Sequence, residues 1–373
     1  MIGPMASFPA DWEELLWEAV RAEVGSGAVQ LQALVPAIHA RTRRYTDARE
    51  RLGEKLRGRE ADLDLAARAL FFTVADAAKI AVPLAELERR GLLPIGPVRV
   101  LDVGAGAGAM TLGLANVHPT AALDVTAVDR DARALAILRR VAASLPRPLD
   151  ATTRVADVTA VLPDGPFDLI VAGTVLNELP AVARLPLVVA LLERLAGGGS
   201  LILVEPALRE TSRALHSLRD ELLAGGRAHV FAPCTHERPC PALADERDWC
   251  HEDRRFDPPP RLAALMHRTG LRDGGLKFAY LTLRLIADRQ VDGAKALRVV
   301  SGPLDTKGVV ERIVCGDDGR RHLRILRRER GESLRTLADS DRGDVLVEDD
   351  AGGLSVPTTP VAPSETPPRT SPP

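Results

Sequence analysis

A chain of 373 residues, 46% of them hydrophobic, with a mean hydropathy of -0.01, is long enough to bury one large core or two ordinary ones. Its longest aliphatic runs, at residues 187–192 and 201–204, fall far short of the roughly 20 apolar residues that a membrane-spanning helix needs. The formal charge of -2 is uneven: residues 338–373 carry seven acids against Arg342 and Arg369, a net -5, which leaves +3 for the remainder and permits a nucleic-acid partner without requiring one.

The opening stretch, with Pro4, Pro9, Asp11, Glu13 and Glu14, lacks the basic-then-apolar order of a secretory signal, so a cytoplasmic protein with no membrane partner is expected. Between residues 10 and 93 apolar residues recur at intervals of three and four: Leu15, Leu16, Ala19 and Val20, then Leu31, Leu34, Val35 and Ile38. That spacing predicts amphipathic helices and a helical N-terminal domain over residues 1–94. A further stretch from Leu63 carries Leu65, Ala69, Phe72, Ala75 and Ala78 on roughly one side, and Pro83 is expected to kink or end it.

From Val98 the pattern changes to short apolar runs, most followed by a helical segment, at residues 98–103, 122–128, 154–156, 167–172 and 200–204. The alternation predicts an α/β domain over residues 95–224, a parallel sheet covered by helices. It breaks near Gly225, where a segment rich in Pro, Asp, Arg and Cys runs to Pro260 and reads as an insertion with its own stabilising device. A short helix at 261–269 and strand-like runs at 276–286, 297–300, 308–314 and 322–326 predict a small strand-rich module over 261–330. Residues 331–373, acidic and ending in SVPTTPVAPSETPPRTSPP, have the composition of a disordered tail.

The first strand runs into LDVGAGAGAMTLGLA, which places Gly104, Gly106 and Gly108 in a glycine-rich turn opening onto a helix. Glycine allows close backbone approach to a ligand, and a helix N-terminus offers unpaired N–H groups. A tight strand-to-helix turn would use the same residues. The spacing G-x-G-x-G after Asp102 departs from the G-x-G-x-x-G of dinucleotide folds and resembles the first motif of the S-adenosylmethionine-dependent methyltransferases. Asp129 ends the second strand, where a carboxylate can accept both ribose hydroxyls. Asp157 follows the third, where that family contacts the adenine. Asn177 and Glu178, in GTVLNELP after the fourth strand, lie where the transferred methyl is expected and are the catalytic candidates. A helix cap with an exposed acid would account for them equally. The segment is not the NPPY type of enzymes that methylate amino groups of nucleic-acid bases.

The chain has four cysteines, Cys234, Cys240, Cys250 and Cys315, three of them within 17 residues. In a cytoplasmic protein this pattern points to metal or redox chemistry. Four thiolates suit tetrahedral zinc or an iron-sulfur cluster, and the spacing does not choose between them. His236 or His251 could replace one thiolate in a zinc site, or some of the four could be ordinary buried thiols.

The stretches VEPALRETSRALHSLRDELL, APCTHERPCP, DWCHEDRRF, FAYLTLR and SGPLDTKGVVERIVCGDDG together resemble the methyltransferase-like assembly factors of the mitochondrial small ribosomal subunit and their bacterial relatives, over roughly residues 60–330. The resemblance implies a Rossmann-like S-adenosylmethionine-dependent methyltransferase fold. It also implies a 4Fe-4S cluster on Cys234, Cys240, Cys250 and Cys315, and small-subunit ribosomal RNA or its precursor in the ribosomal small subunit as partner. Arg320, Arg321, Arg324, Arg327 and Arg328, with Lys307, are then candidates for phosphate contact. A solvated charged face would look the same.

Overall fold

The computed structural model describes residues 5, 7–47, 52, 54–272, 275–291 and 295–357. The chain opens with helices α1 (Ala10–Val24), α2 (Leu31–Thr46), α3 (Gly58–Ala67), α4 (Val74–Ala77) and α5 (Ala81–Arg89). A π-helical turn (Arg68–Thr73) joins α3 to α4, and a 3-10 turn (Ala78–Ile80) joins α4 to α5. Pro83 does not end the helical run: it sits in the first turn of α5, and the change of winding, a 3-10 turn, falls just upstream.

The main sheet is built from β1 (Pro97–Val103), β2 (Ala122–Asp129), β3 (Asp150–Val155), β4 (Phe167–Gly173), β5 (Leu195–Pro206), β6 (His229–Ala232), β7 (Glu252–Arg254) and β8 (Leu276–Arg284). The strand order is 3-2-1-4-5-8-6, with β7 also paired to β8. Strands 1 to 5 run parallel, and β8 lies antiparallel between β5 and β6. This is the Rossmann-like α/β arrangement of the methyltransferase fold. Helices α6 (Ala109–Val117) and α7 (Ala132–Ser144) cover one face, and α8 (Ala181–Leu192) and α9 (Arg209–Ala224) the other.

Alternation within the strands supplies both cores. In β1, Val98 and Val100 face the first and Leu101 and Val103 the second; in β5, Ile202 and Val204 face the first and Leu201 and Leu203 the second. The first core also takes in Leu16, Trp17 and Val20 of α1, Leu34 and Ile38 of α2, and Leu262 and Leu265 of α10 (Pro260–Thr269). The N-terminal helices are therefore a layer on the sheet and not a separate domain. Glu13 fastens that layer, its carboxylate accepting from the backbone N–H groups of Arg261 (2.9 Å) and Leu262 (2.7 Å) at the start of α10.

A second sheet contains β9 (Lys295–Val299), β10 (Val309–Gly316), β11 (Gly319–Leu326), β12 (Val345–Glu348) and β13 (Leu354–Ser355), in the order 11-10-9-12-13, with α11 (Glu332–Asp339) packed on it. Two expectations are corrected. The apolar run at 276–286 enters the main sheet as β8, because its alternate residues fill both cores beside β5: Leu276, Phe278 and Tyr280 the first, Ala279, Leu281 and Leu283 the second. The stretch expected as tail from residue 331 is folded as far as β13, because Leu337, Leu346 and Leu354 complete the core of the second sheet. Residues 358–373 lie outside the described residues. Among the described residues no helix is long and apolar enough to cross a membrane.

Candidate cofactor and cysteine sites

At the C-terminal ends of β1, β2 and β4 a cavity of about 780 Å³ opens, lined by the glycine turn, by Asp129 and Asp157, and by Gly173 to Val175. That volume is within the range of ligand pockets. Gly104 takes φ +65°, and a Cβ there would lie 2.5 Å from Val175 Cγ2, so the turn closes only on glycine. Gly106 takes φ +53°, and a Cβ on it would meet nothing within 4 Å; its bareness keeps the cavity floor open to a ligand. Asp129 holds this turn to the end of β2, with Oδ2 accepting from Gly106 N at 2.8 Å and Oδ1 from Asp131 N at 2.7 Å. Asp157 accepts from Thr159 N (2.9 Å) and Thr159 Oγ1 (2.7 Å), bonds that lower its pKa.

Two of the expected cofactor residues, Asp102 and Gly108, do not line the cavity. Asp102 is wholly buried; its Oδ2 accepts from Thr111 N (3.1 Å) and Thr111 Oγ1 (2.6 Å) and ties α6 to the end of β1. Burial, outweighing these bonds, pushes its carboxyl up to about 7. Gly108 is the left-handed residue at the start of α6, packed under Leu138. Both shape the turn from behind.

The catalytic candidates separate. Asn177 is buried and absent from the cavity lining; Thr211 Oγ1 on α9 donates to its Oδ1 at 3.0 Å. The turn that carries it is held by Glu205 at the end of β5, which accepts from Leu176 N (2.9 Å) and Asn177 N (3.1 Å). Glu178 does line the cavity, but its carboxylate is engaged. Arg41 Nη2 donates to Oε1 at 3.0 Å, Tyr45 OH donates to the same oxygen at 3.4 Å, and Arg130 Nη2 lies 3.5 Å from Oε2. Burial raises the Tyr45 hydroxyl to about 12, so it remains a donor.

The opposite wall comes from the N-terminal helices, which sequence reading did not connect to the cofactor turn. Arg68 bridges Asp131 (2.5 Å) and Asp64 (3.1 Å), and Asp64 in turn accepts from Arg44 at 3.2 Å. The available signal was the i, i+3, i+4 placement of Arg41, Arg44 and Tyr45 on one face of α2.

The four cysteines lie on segments of both sheets. Cys234 follows β6, Cys240 precedes a 3-10 turn (Pro241–Leu243), Cys250 precedes β7, and Cys315 lies in β10 opposite Arg298 of β9. Their thiols feel one another. Burial first, and then the neighbouring thiols Cys234, Cys240 and Cys315, push Cys250 well above its ordinary value. Burial together with Cys234 raises Cys240 to about 11, and burial with Cys234 and Cys240 raises Cys315 to about 12.

The surrounding frame is hydrogen-bonded. Asp220 accepts from Cys240 N at 2.8 Å, His216 Nε2 lies 3.2 Å from the Cys250 carbonyl oxygen, and His236 Nε2 lies 3.4 Å from Cys315 Sγ. Arg219, fully buried, donates to the carbonyls of His236 and Arg238. Among the described residues no three Cys, His, Asp or Glu side chains are grouped to hold a metal ion as the chain stands, so the thiols are neighbours without being drawn onto one point. The arginine run beyond Cys315 is largely paired within the protein: Arg320 to Asp248, Arg321 to Glu348, Arg324 to Glu311 and Arg327 to Asp305.

Residues 77–347 match the family model described as mitochondrial small ribosomal subunit Rsm22. The human ribosome assembly protein METTL17, mitochondrial, is 29% identical over 160 residues, covering 40% of this chain and 35% of its own. Trans-aconitate 2-methyltransferase of Streptomyces coelicolor is 34% identical over 152 residues, covering 39% of this chain and 49% of its own. The chain thus spans between about a third and a half of the length of these curated relatives. Solved structures similar to it include the glycopeptide N-methyltransferase MtfA complexed with S-adenosylmethionine (27% identity, 33% of this chain and 50% of that one, TM-score 0.27). Another is magnesium protoporphyrin IX methyltransferase from Synechocystis (13% identity, 66% and 95%, TM-score 0.36).

Proposed function

The chain belongs to the family of the mitochondrial small ribosomal subunit protein Rsm22, and from that premise we propose that it is an S-adenosylmethionine-binding, iron-sulfur protein that acts on small-subunit ribosomal RNA or its precursor in the assembling ribosomal small subunit. The cofactor would lie in the cavity, with Asp129 accepting the ribose hydroxyls, Asp157 beside the adenine and Gly106 allowing close backbone approach. When bound, it supplies an electrophilic methyl group on a sulfonium. Alignment of the acceptor with that methyl is the main requirement, and an acid or base is not obligatory.

The observation that carries the metal reading is Cys315. The second sheet brings it from 65 residues beyond Cys250 into electrostatic reach of Cys234, Cys240 and Cys250. As thiolates the four would repel one another, and a cationic group would turn that repulsion into attraction. A 4Fe-4S cluster on these four cysteines would tie the second sheet to the main one. Zinc uses the same donors.

Anaerobic purification with a visible spectrum and iron, sulfide and zinc analysis tests the metal. A brown protein with about four irons and four sulfides supports the cluster, and a colourless one with about one zinc replaces it. Calorimetric titration with S-adenosylmethionine tests the cavity, and absence of saturable binding would remove the cofactor. A second reading, an RNA-binding assembly factor without turnover, is favoured by the engagement of Glu178 with Arg41 and Tyr45 and by the burial of Asn177. Incubation of purified small-subunit precursors with labelled cofactor separates the two: a methylated product that depends on this chain sinks the second reading.

A further inference from the structure

The segment from α3 to the 3-10 turn before α5 presents Arg68, Phe72, Thr73, Asp76 and Lys79 to the cavity in one row. Residues 68, 72, 76 and 79 fall on one helical face, and a π turn, a winding common at functional sites, sits within the row. The eleven helical rises from Arg68 to Lys79 span about 16 Å, close to the three inter-strand steps, roughly 14 Å, from β2 through β1 and β4 to β5. The ends of the row agree with that span. Arg68 grips Asp131, two residues past the end of β2. Lys79 Nζ lies 6.0 Å from the ring centre of Phe278, which pairs with Pro206 at the end of β5.

A ligand whose ribose sits at Asp129 and whose adenine sits at Asp157 must therefore extend its other end past Gly104 and Gly173 toward Lys79. Charge at that end is unbalanced. Asp76 is bracketed by Lys79 (2.8 Å) and Arg272 (3.0 Å), two cations on one carboxylate, with the Lys79 side chain only 6% exposed. Glu205, within electrostatic reach of Lys79, adds little counter-charge, because burial raises it to about 8. The ion pair with Asp76 uses one of the three N–H donors of Lys79, and a buried excess cation at the wall of a cavity calls for an anionic ligand group.

We infer that Lys79 anchors the carboxylate at the aminoacyl end of the cofactor, an assignment that rests on the reading of the cavity as an S-adenosylmethionine site. Asp76 and Arg272 hold the lysine in place, and the aromatic rings of Phe71 and Phe72 support Arg272, with its guanidinium 5.2 Å from each ring centre.

The test is a binding cycle on the full chain by calorimetry. S-adenosylhomocysteine is compared with its decarboxylated form, which lacks only the carboxylate, on the unmodified protein and on Lys79→Met. The unmodified protein is expected to prefer the intact ligand by about tenfold or more. Lys79→Met is expected to bind the decarboxylated ligand as before and to lose most of that preference. Full preference retained in Lys79→Met overturns the assignment while leaving the cofactor site standing. Failure of the unmodified protein to bind either ligand overturns the cofactor reading and this inference with it.

Should Lys79→Met not fold, the chain has only five lysines, and their side-chain nitrogen resonances can be followed in the unmodified protein. The buried, slowly exchanging lysine is expected to shift with S-adenosylhomocysteine and not with the decarboxylated ligand. No such difference overturns the assignment.

Discussion

Arg41 and Glu178, 137 residues apart in sequence, meet at the cavity wall with Nη2 3.0 Å from Oε1. The contact ties α2 to the turn after β4, so the N-terminal helices and the sheet form one site. It also engages Glu178, whose carboxylate is shared by Arg41, Tyr45 and Arg130.

Arg41→Met removes the more buried half of that link, leaving Glu178 with Tyr45 and the exposed Arg130. A loss of about 1–3 kcal/mol in urea unfolding is expected, together with weaker cofactor binding. Unchanged unfolding would show that the pair does not fasten the helices.

Asp129→Ala deletes the bond that positions the glycine turn, the bond to Asp131 N and the carboxylate expected to receive the ribose. Affinity for S-adenosylmethionine should fall by about tenfold or more, with a smaller effect on thermal unfolding because the residue is only half-buried. Isothermal titration measures the first and calorimetric melting the second.

Glu205 gives a pH signature. Burial raises it to about 8 in the folded chain against an ordinary 4.5, so over that interval the folded state binds more protons than the unfolded one. Its stabilising contribution is complete below about pH 4.5 and is lost as pH rises toward 8, with a slope of up to about 1.4 kcal/mol per pH unit. Asp102 acts in the same sense up to about 7. His216 and His251, lowered to about 4 by burial, act in the opposite sense but only below about 6.5. Between pH 6.5 and 8 the unmodified protein should therefore lose stability relative to Glu205→Gln, as read by urea midpoints at both pH values. Parallel curves would mean that Glu205 is already ionised in the fold.

Arg298 joins the two sheets. Its guanidinium donates to Glu86 Oε1 at 2.6 Å, to the Pro233 carbonyl at 2.7 Å and to Gln290 at 2.8 Å, with the Glu86 pair almost fully buried. Breaking such a pair from one side costs about 3–5 kcal/mol. Arg298→Met should loosen the second sheet first, so limited proteolysis should cut near residue 290 earlier than in the unmodified chain, and metal content should fall because Cys315 is its strand neighbour.

Cys250→Ser is expected to abolish the bound metal and lower the melting temperature, since loss of a metal site normally destabilises the fold around it. Iron, sulfide and zinc analysis alongside calorimetry checks both. Intact metal content would remove Cys250 from the ligand set.

The strand-end motifs were legible because their signals are local: Gly104, Gly106, Asp129 and Asp157 each sit at the end of an apolar run. Arg41, Tyr45, Arg68 and Lys79 were not, because what they contact lies far along the chain; Arg68 meets Asp131 63 residues away and Tyr45 meets Glu178 133 away. The run at 276–286 was recognised as a strand, but an apolar strand reads the same whichever sheet receives it. Acid counts hid the fold of residues 332–355, where three leucines outweigh their surroundings. Asn177 looked available because a polar residue after a strand suggests a ligand, and its partner Thr211 belongs to a later helix.

The distribution of the cysteines orders events in time. On a ribosome making about 5–20 residues per second, Cys250 emerges 65 residues and so roughly 3 to 13 seconds before Cys315. Through that interval the nascent chain carries three thiols and no fourth. The set becomes complete only after β9 and β10 have been made and paired, so a chain truncated before the second sheet cannot assemble it.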